Sequence, residues 1–166
     1  MPPSGHVSIG VAATGKGIDM PSDNEVDEAT LERLSRLRKP LLHLHKTLLD
    51  LEREAYERAH DRVENSYELL QLVMHDPWFA WLHSLSELMV QIDEMLDAKE
   101  PLNESDALAV IGQVRVLLTP SETGSGFQKK YFTSLQQSPD VVLAHSEVVK
   151  QLGTAGGATD KSRETS

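Results

Sequence analysis

Seven histidines and 26 acidic residues are the side chains of this 166-residue sequence that could bind a metal ion. A di-iron site in a helical bundle needs a Glu-x-x-His pair on each of two helices and a further Glu from each of two others. Glu57 and His60 form the one such pair, and their neighbours are charged. The remaining candidates are His75, His83 and Glu87, of which the last two are one helical turn apart. We consider a mononuclear site there, beside the simpler interpretation that these are surface or boundary residues.

Motifs for other chemistry are incomplete. Residues Gly10 to Gly17 have the glycine and lysine spacing of a phosphate-binding loop, but Gly17 stands where that loop needs a Ser or Thr to ligate Mg²⁺. The sequence contains no cysteine and no Gly-x-Ser-x-Gly nucleophile elbow. We therefore predict a non-enzymatic protein with no catalytic residues, no cofactor and no bound metal. An enzyme is the alternative only through residues that are distant in sequence and meet in the fold.

An aromatic cluster follows Asp76 and Pro77. Both tryptophans, Trp78 and Trp81, and one of the three phenylalanines, Phe79, lie close together. This concentration favours an organising core; the alternative is a surface that binds a partner or a second copy, because aromatic residues are enriched in interfaces. On an α-helix Phe79 lies about 100° from its neighbour Trp78, so we expect part of the cluster to be exposed. Trp78, Phe79 and Trp81 are the candidate interface residues.

Helical spacing dominates residues 25–152, and its clearest apolar stripe repeats every three or four residues over three heptads. The stripe comprises Leu34, Leu37, Leu41, Leu44, Leu48, Leu51 and Ala55. Pro40 lies within it, so either one helix continues through Pro40 with a kink, or a helix ends near Arg38 and a second begins at Pro40. The unbroken register favours the continuous helix.

Capping residues divide the rest of this region into further helices. The caps are Asn65, Asp76, Asn103 and Ser138. The predicted helices span residues 65–74, 77–98, 103–118, 127–136 and 139–152. We predict an all-α helical bundle of about four main helices plus two shorter ones, in which the helix after Pro77 is the central and most buried.

Composition indicates one folded domain with a tail at each end. Seven of the ten glycines lie in residues 1–24 and 153–166, where apolar residues have no period, so we predict disordered tails there and a single domain at residues 25–152. The net charge is −10, and nine of these charges belong to the domain. This acidity disfavours nucleic acid as a partner. Because no apolar run is long enough for a membrane span, we predict a cytoplasmic protein without membrane contact.

Charge is uneven within the domain. A basic stretch comprises Arg33, Arg36, Arg38 and Lys39, whereas residues 76–100 carry a net charge of −5. The two regions could pair within one bundle or across a dimer, or each could be a solvated face.

Two motifs resemble known sequences. His75 to Leu82, which reads HDPWFAWL, and Ser138 to His145, which reads SPDVVLAH, lie within the run from Pro40 to about Leu152. In this run the sequence resembles a group of small uncharacterised bacterial proteins that are predicted to be helical. The resemblance implies a bacterial cytoplasmic origin. That group has no known activity, so no functional residues carry over.

The leading hypothesis is a non-enzymatic helical module that acts by protein–protein interaction or by self-association. Trp78, Phe79 and Trp81 would anchor the architecture or a groove, and the acidic face of the helix that contains Asp93 would select basic partners. The alternative is a metal- or small-molecule-binding helical bundle that uses His75, His83 and Glu87.

Overall fold

The computed structural model describes residues 25–153, and these residues form six α-helices and one 3-10 helix. Their bounds are α1 Glu28–Ala59, α2 Ser66–His75, the 3-10 helix Pro77–Leu82, α3 His83–Asp97, α4 Glu104–Leu117, α5 Gly126–Gln137 and α6 Pro139–Gly153. Within this described part there is no β-strand, only an isolated bridge between Glu25 and Asn103. The predicted all-α bundle is confirmed.

The long helix α1 continues through Pro40 and is the centre of the bundle. A proline inside a helix costs about 3 kcal/mol or more, whereas each fully buried leucine contributes about 1.5–3 kcal/mol. Leucines on both sides of Pro40 belong to the core, so their burial offsets the cost; they are Leu34, Leu37, Leu41, Leu44 and Leu48. Because α1 packs against α3, α4, α6 and the 3-10 helix, the prediction that the helix after Pro77 is central is wrong.

The segment after Asp76 begins as a 3-10 helix, where a single α-helix from Pro77 to about Ala98 was expected. The Asp76 carboxylate accepts a hydrogen bond from the Trp78 amide at 2.8 Å, and Pro77 supplies the first turn. With three residues per turn, side chains three apart lie on one face. Phe79 therefore shares the buried face with Leu82.

Predicted caps set the other helix boundaries. The Asn65 side chain accepts from the Glu68 amide, and the Asn103 side chain accepts from the amides of Ser105 and Asp106. At the start of α6, Ser138 Oγ accepts from the Val141 amide. These bonds satisfy amides that have no partner within their own helix.

Two arginines bind the end of α6. The Leu152 carbonyl accepts from Arg33 at 3.3 Å and from Arg115 at 3.1 Å, so α1 and α4 both hold the last turn of α6. The helix ends at Gly153, the first residue of the predicted C-terminal tail. The rest of that tail, the predicted N-terminal tail and the Gly10–Gly17 motif lie outside the described residues. No helix within residues 25–153 has the length and apolar character needed to cross a bilayer.

Candidate functional site

An aromatic cluster joins the end of α1 to the 3-10 helix. The rings of Tyr56 and His60 stack at a centroid distance of 4.3 Å, and the Trp78 ring meets both edge-on, at 5.7 and 5.3 Å. Phe79 lies 5.6 Å from Tyr56 on the core side. Edge-to-face and offset-stacked rings are the favoured arrangements of aromatic pairs, so this cluster fixes the corner between the two elements.

The loop that follows α1 is bound to that helix. The Glu57 carboxylate accepts from the Val63 amide at 2.7 Å, and Arg53 donates to the Val63 carbonyl at 3.1 Å. The Val63 side chain itself is buried. Glu57, half of the candidate Glu-x-x-His pair, is thus engaged in holding the loop that leads into α2. Nδ1 of His60 lies 3.3 Å from the carbonyl oxygen of Tyr56.

Helix α2 lies on this corner and exposes a row of large apolar side chains. We call Tyr67, Leu70 and Met74 the α2 face; their exposed fractions are 71%, 52% and 54%. They are three and four residues apart, so they share one side of the helix. The opposite side packs against the core through Leu69, Leu72 and Val73, and no residue of α2 is fully buried. Of the six apolar residues among the ten of α2, three therefore face the bundle and three face solvent.

The predicted interface residues divide into core and boundary. Phe79 has no exposed surface, so it is a core residue and not an interface residue. Trp78 and Trp81 are half-buried beside the core. The Nε1 atoms of both indoles are buried without a hydrogen-bond acceptor among residues 25–153. The turn geometry explains this division, because in a 3-10 helix Trp78 and Trp81 share one face and Phe79 lies on the next.

A row of rings extends from Trp81 into the last two helices. Trp81 contacts Phe127 at a centroid distance of 5.2 Å, and Phe127 contacts Tyr131 at 5.4 Å. The Tyr131 hydroxyl lies 2.7 Å from Nδ1 of His145. Burial raises the pKa of Tyr131 and lowers that of His145, so a neutral phenol bonded to a neutral imidazole is the favoured state. The spacing of Phe127 and Tyr131, one turn apart, was the available sequence signal for this row.

The candidate metal ligands are not brought together. Nε2 of His83 lies 2.8 Å from the Val73 carbonyl, to which it must donate, so this nitrogen is protonated and is not free for a metal. His75 is exposed at the end of α2, and Glu87 is exposed one turn after His83. Among residues 25–153 no three His, Asp or Glu side chains form a group that could hold a metal ion. His75 and Glu87 are therefore exposed surface residues, and His83 forms a structural hydrogen bond at the protein boundary.

One serine and one histidine distant in sequence do meet. Nε2 of His45 lies 2.8 Å from Oγ of Ser86, and the same hydroxyl is 3.4 Å from the Leu82 carbonyl. Burial lowers the pKa of His45, which favours the neutral imidazole. In a Ser-His-Asp triad an acid orients the histidine. Within the described residues no carboxylate bonds to His45, so the pair joins α1 to α3 as a polar contact in the bundle.

The basic stretch and the acidic helix meet within one chain. Nε of Arg38 lies 2.9 Å from Oδ1 of Asp93, with both side chains about half exposed. A second contact between distant helices joins Nδ1 of His43 to Glu147 at 3.9 Å. The sequence left open whether the basic stretch and the acidic helix pair. The Arg38–Asp93 contact is such a pair within one bundle.

Comparison with known proteins leaves the chain without an assigned relative: no family model, no curated protein and no solved structure matches it significantly. The resemblance drawn from the HDPWFAWL and SPDVVLAH motifs therefore stays a prediction.

Proposed function

We propose that this protein is a non-enzymatic helical module that acts by binding a protein partner or a second copy of itself through the α2 face. The observation that carries the proposal is the exposure of Tyr67, Leu70 and Met74 in one row on a helix whose other side lies on the core. Single exposed apolar residues are ordinary on a protein surface, whereas a contiguous row of large ones is characteristic of an interaction site.

The rigidity of the corner supports this proposal. The capping bond of Asn65 begins α2, the His83 bond to the Val73 carbonyl ties its end to α3, and the 3-10 helix packs against it. A preformed helix loses little conformational freedom when a partner docks, so more of its apolar contact appears as affinity. Tyr and Met are also the residue types enriched in interfaces relative to other surfaces.

In this proposal α2 carries the contact residues that Trp78 and Trp81 were expected to supply, and the 3-10 helix that contains both tryptophans packs against α2. The acidic residues Glu94 and Asp97, exposed near the end of α3, are an additional region for selecting basic partners. We regard that selection as secondary, because exposed charge pairs contribute about 0–1 kcal/mol each.

A triple variant, Tyr67→Asn, Leu70→Gln and Met74→Gln, tests the proposal. Each side chain is already half-buried or less, so completing its burial contributes on the order of 1 kcal/mol, and removing all three weakens binding roughly 100-fold. The matched control is Val90→Gln with Val116→Gln, two exposed apolar residues on other helices.

The measurements are affinity capture from native lysate with mass spectrometry, and light scattering for the mass of the purified chain. The expected result is a stoichiometric protein partner, or a mass above the 18.4 kDa of one chain, with the control and not with the triple variant. Equal capture and equal mass for both variants would contradict the proposal, as would a monomer that captures nothing.

A further inference from the structure

A groove between α1 and α3 shares no residue with the α2 face. Its volume is about 450 Å³. The buried side chains of Leu41 and Ile92 form its floor, and the exposed Leu42 and half-buried Met89 form one end. This end is apolar and open to solvent.

The other end of the groove is cationic. Arg38 and Lys39 line it together with Asp93, which is bound to Nε of Arg38. An arginine has five N–H donors, so this single close contact leaves donors on Arg38 for another acceptor. Lys39 is exposed and has no ion pair within residues 25–153. The groove thus carries a net positive charge in a chain whose net charge is −10.

The dimensions of the groove favour a small ligand over a protein segment. The eight residues of α1 from Ser35 to Leu42 make seven steps of 1.5 Å, so they span about 10 Å. A volume of 450 Å³ lies within the range of small-molecule sites, about 300–1,000 Å³. A specific protein interface buries about 800 Å² on each partner, far more than two helical turns present.

We propose that this groove binds a small amphiphilic carboxylate, with the carboxylate at Arg38 and Lys39 and the apolar body over Leu41, Leu42, Met89 and Ile92. Charge complementarity selects the head, because the lysine ammonium and the free guanidinium donors form their strongest hydrogen bonds with an anion. The apolar end selects the body, because the ligand covers the exposed Leu42 and the half-buried Met89, which water otherwise contacts. This site is independent of the α2 face.

Decanoate is the probe, titrated into the full 166-residue chain with methyl NMR as the measurement. The expected result is saturable shifts of the methyl signals of Leu41, Leu42, Met89 and Ile92. Lys39→Glu weakens the affinity by about tenfold or more. Lys46→Glu makes the same charge change on an exposed residue of α1 outside the groove, and it weakens the affinity by about twofold or less. Decyltrimethylammonium, with the same chain and a cationic head, binds at least about tenfold more weakly.

Three results would overturn the proposal. The first is the absence of saturable shifts at these four residues up to millimolar decanoate. The second is equal affinity of the Lys39→Glu and Lys46→Glu variants, and the third is equal binding of decyltrimethylammonium. If decanoate does not bind but a synthetic helical peptide with a leucine row flanked by glutamates does, the groove docks a protein segment and the small-ligand proposal is wrong. Decanoate affinity is also measured for Leu42→Gln, because this exposed residue can change without affecting the core.

Discussion

Phe79→Ala separates a core role from an interface role for the aromatic segment. Phe79 has no exposed surface and its ring lies 5.6 Å from that of Tyr56. Truncating a buried phenylalanine removes its transfer free energy and leaves a cavity, which together lower the free energy of unfolding by about 3–5 kcal/mol. For a domain of this size that corresponds to a melting temperature about 10–20 °C lower.

The matched control is Tyr67→Ala, which truncates an aromatic side chain of similar size on the α2 face. Because Tyr67 is 71% exposed, its loss changes the free energy of unfolding by about 0.5 kcal/mol or less. The assay is urea unfolding followed by far-ultraviolet circular dichroism, so that the loss of a ring next to the tryptophans does not affect the readout. Partner binding by the same two variants is expected to follow the opposite order. Tyr67→Ala weakens binding more than Phe79→Ala does, provided that Phe79→Ala is assayed well below its melting temperature.

A urea midpoint that shifts no more in Phe79→Ala than in Tyr67→Ala would contradict the core role of Phe79. That result would mean that the 3-10 geometry does not direct Phe79 into the core and that the original interface assignment of Phe79 was sound. A smaller loss, between about 1 and 3 kcal/mol, would indicate that the neighbouring rings relax into the space.

Three further perturbations test other parts of the fold. Pro40→Ala restores a backbone donor inside α1, and calorimetry is expected to show the free energy of unfolding raised by up to about 3 kcal/mol; a decrease would mean that the packing requires the proline. Asn103→Ala removes the cap of α4 and lowers the free energy of unfolding by about 0.5–2 kcal/mol in urea, whereas the exposed mid-helix control Gln113→Ala has a smaller effect. Burial lowers the pKa of His45 and His145 below the ordinary 6.5, so the unfolded chain binds protons that the folded chain does not. The free energy of unfolding therefore falls as the pH decreases from about 7 to 5, and a double His→Gln variant at these positions has a flatter profile in this window; an unchanged slope would contradict the assignment.

Local patterns were sufficient for the helices because each one is marked within a few residues. Side-chain caps at Asn65, Asp76 and Asn103 accept the amide bonds expected of them, and the leucine stripe of α1 is the buried stripe. The stripe also resolves the question at Pro40, since leucines on both sides of the proline pack on the same neighbours.

The sequence was less informative where packing between distant elements decides the outcome. The 3-10 turn after Asp76 changes which aromatic residue points inward, and nothing in the local pattern of apolar residues distinguishes 100° from 120° per residue over six positions. The pairs His45 with Ser86 and Tyr131 with His145 depend on helix packing, although the second joins residues only 14 apart.

The exposure of the α2 face could not be predicted from the sequence either. Six apolar residues among the ten of Ser66–His75 were visible in the sequence, but a short apolar helix is equally compatible with complete burial. Only the position of α2 on the edge of the bundle, against the 3-10 helix, leaves Tyr67, Leu70 and Met74 exposed.

Site-specific photo-crosslinking tests the binding role of the α2 face most directly. Benzoylphenylalanine replaces Leu70 in one sample and the more exposed Val116 of α4 in another, and both 166-residue chains are irradiated in native lysate. We expect a discrete crosslinked product from position 70, either with one partner protein or with a second copy of the chain, and none of that product from position 116. No product from position 70, or the same product from both positions, would contradict it.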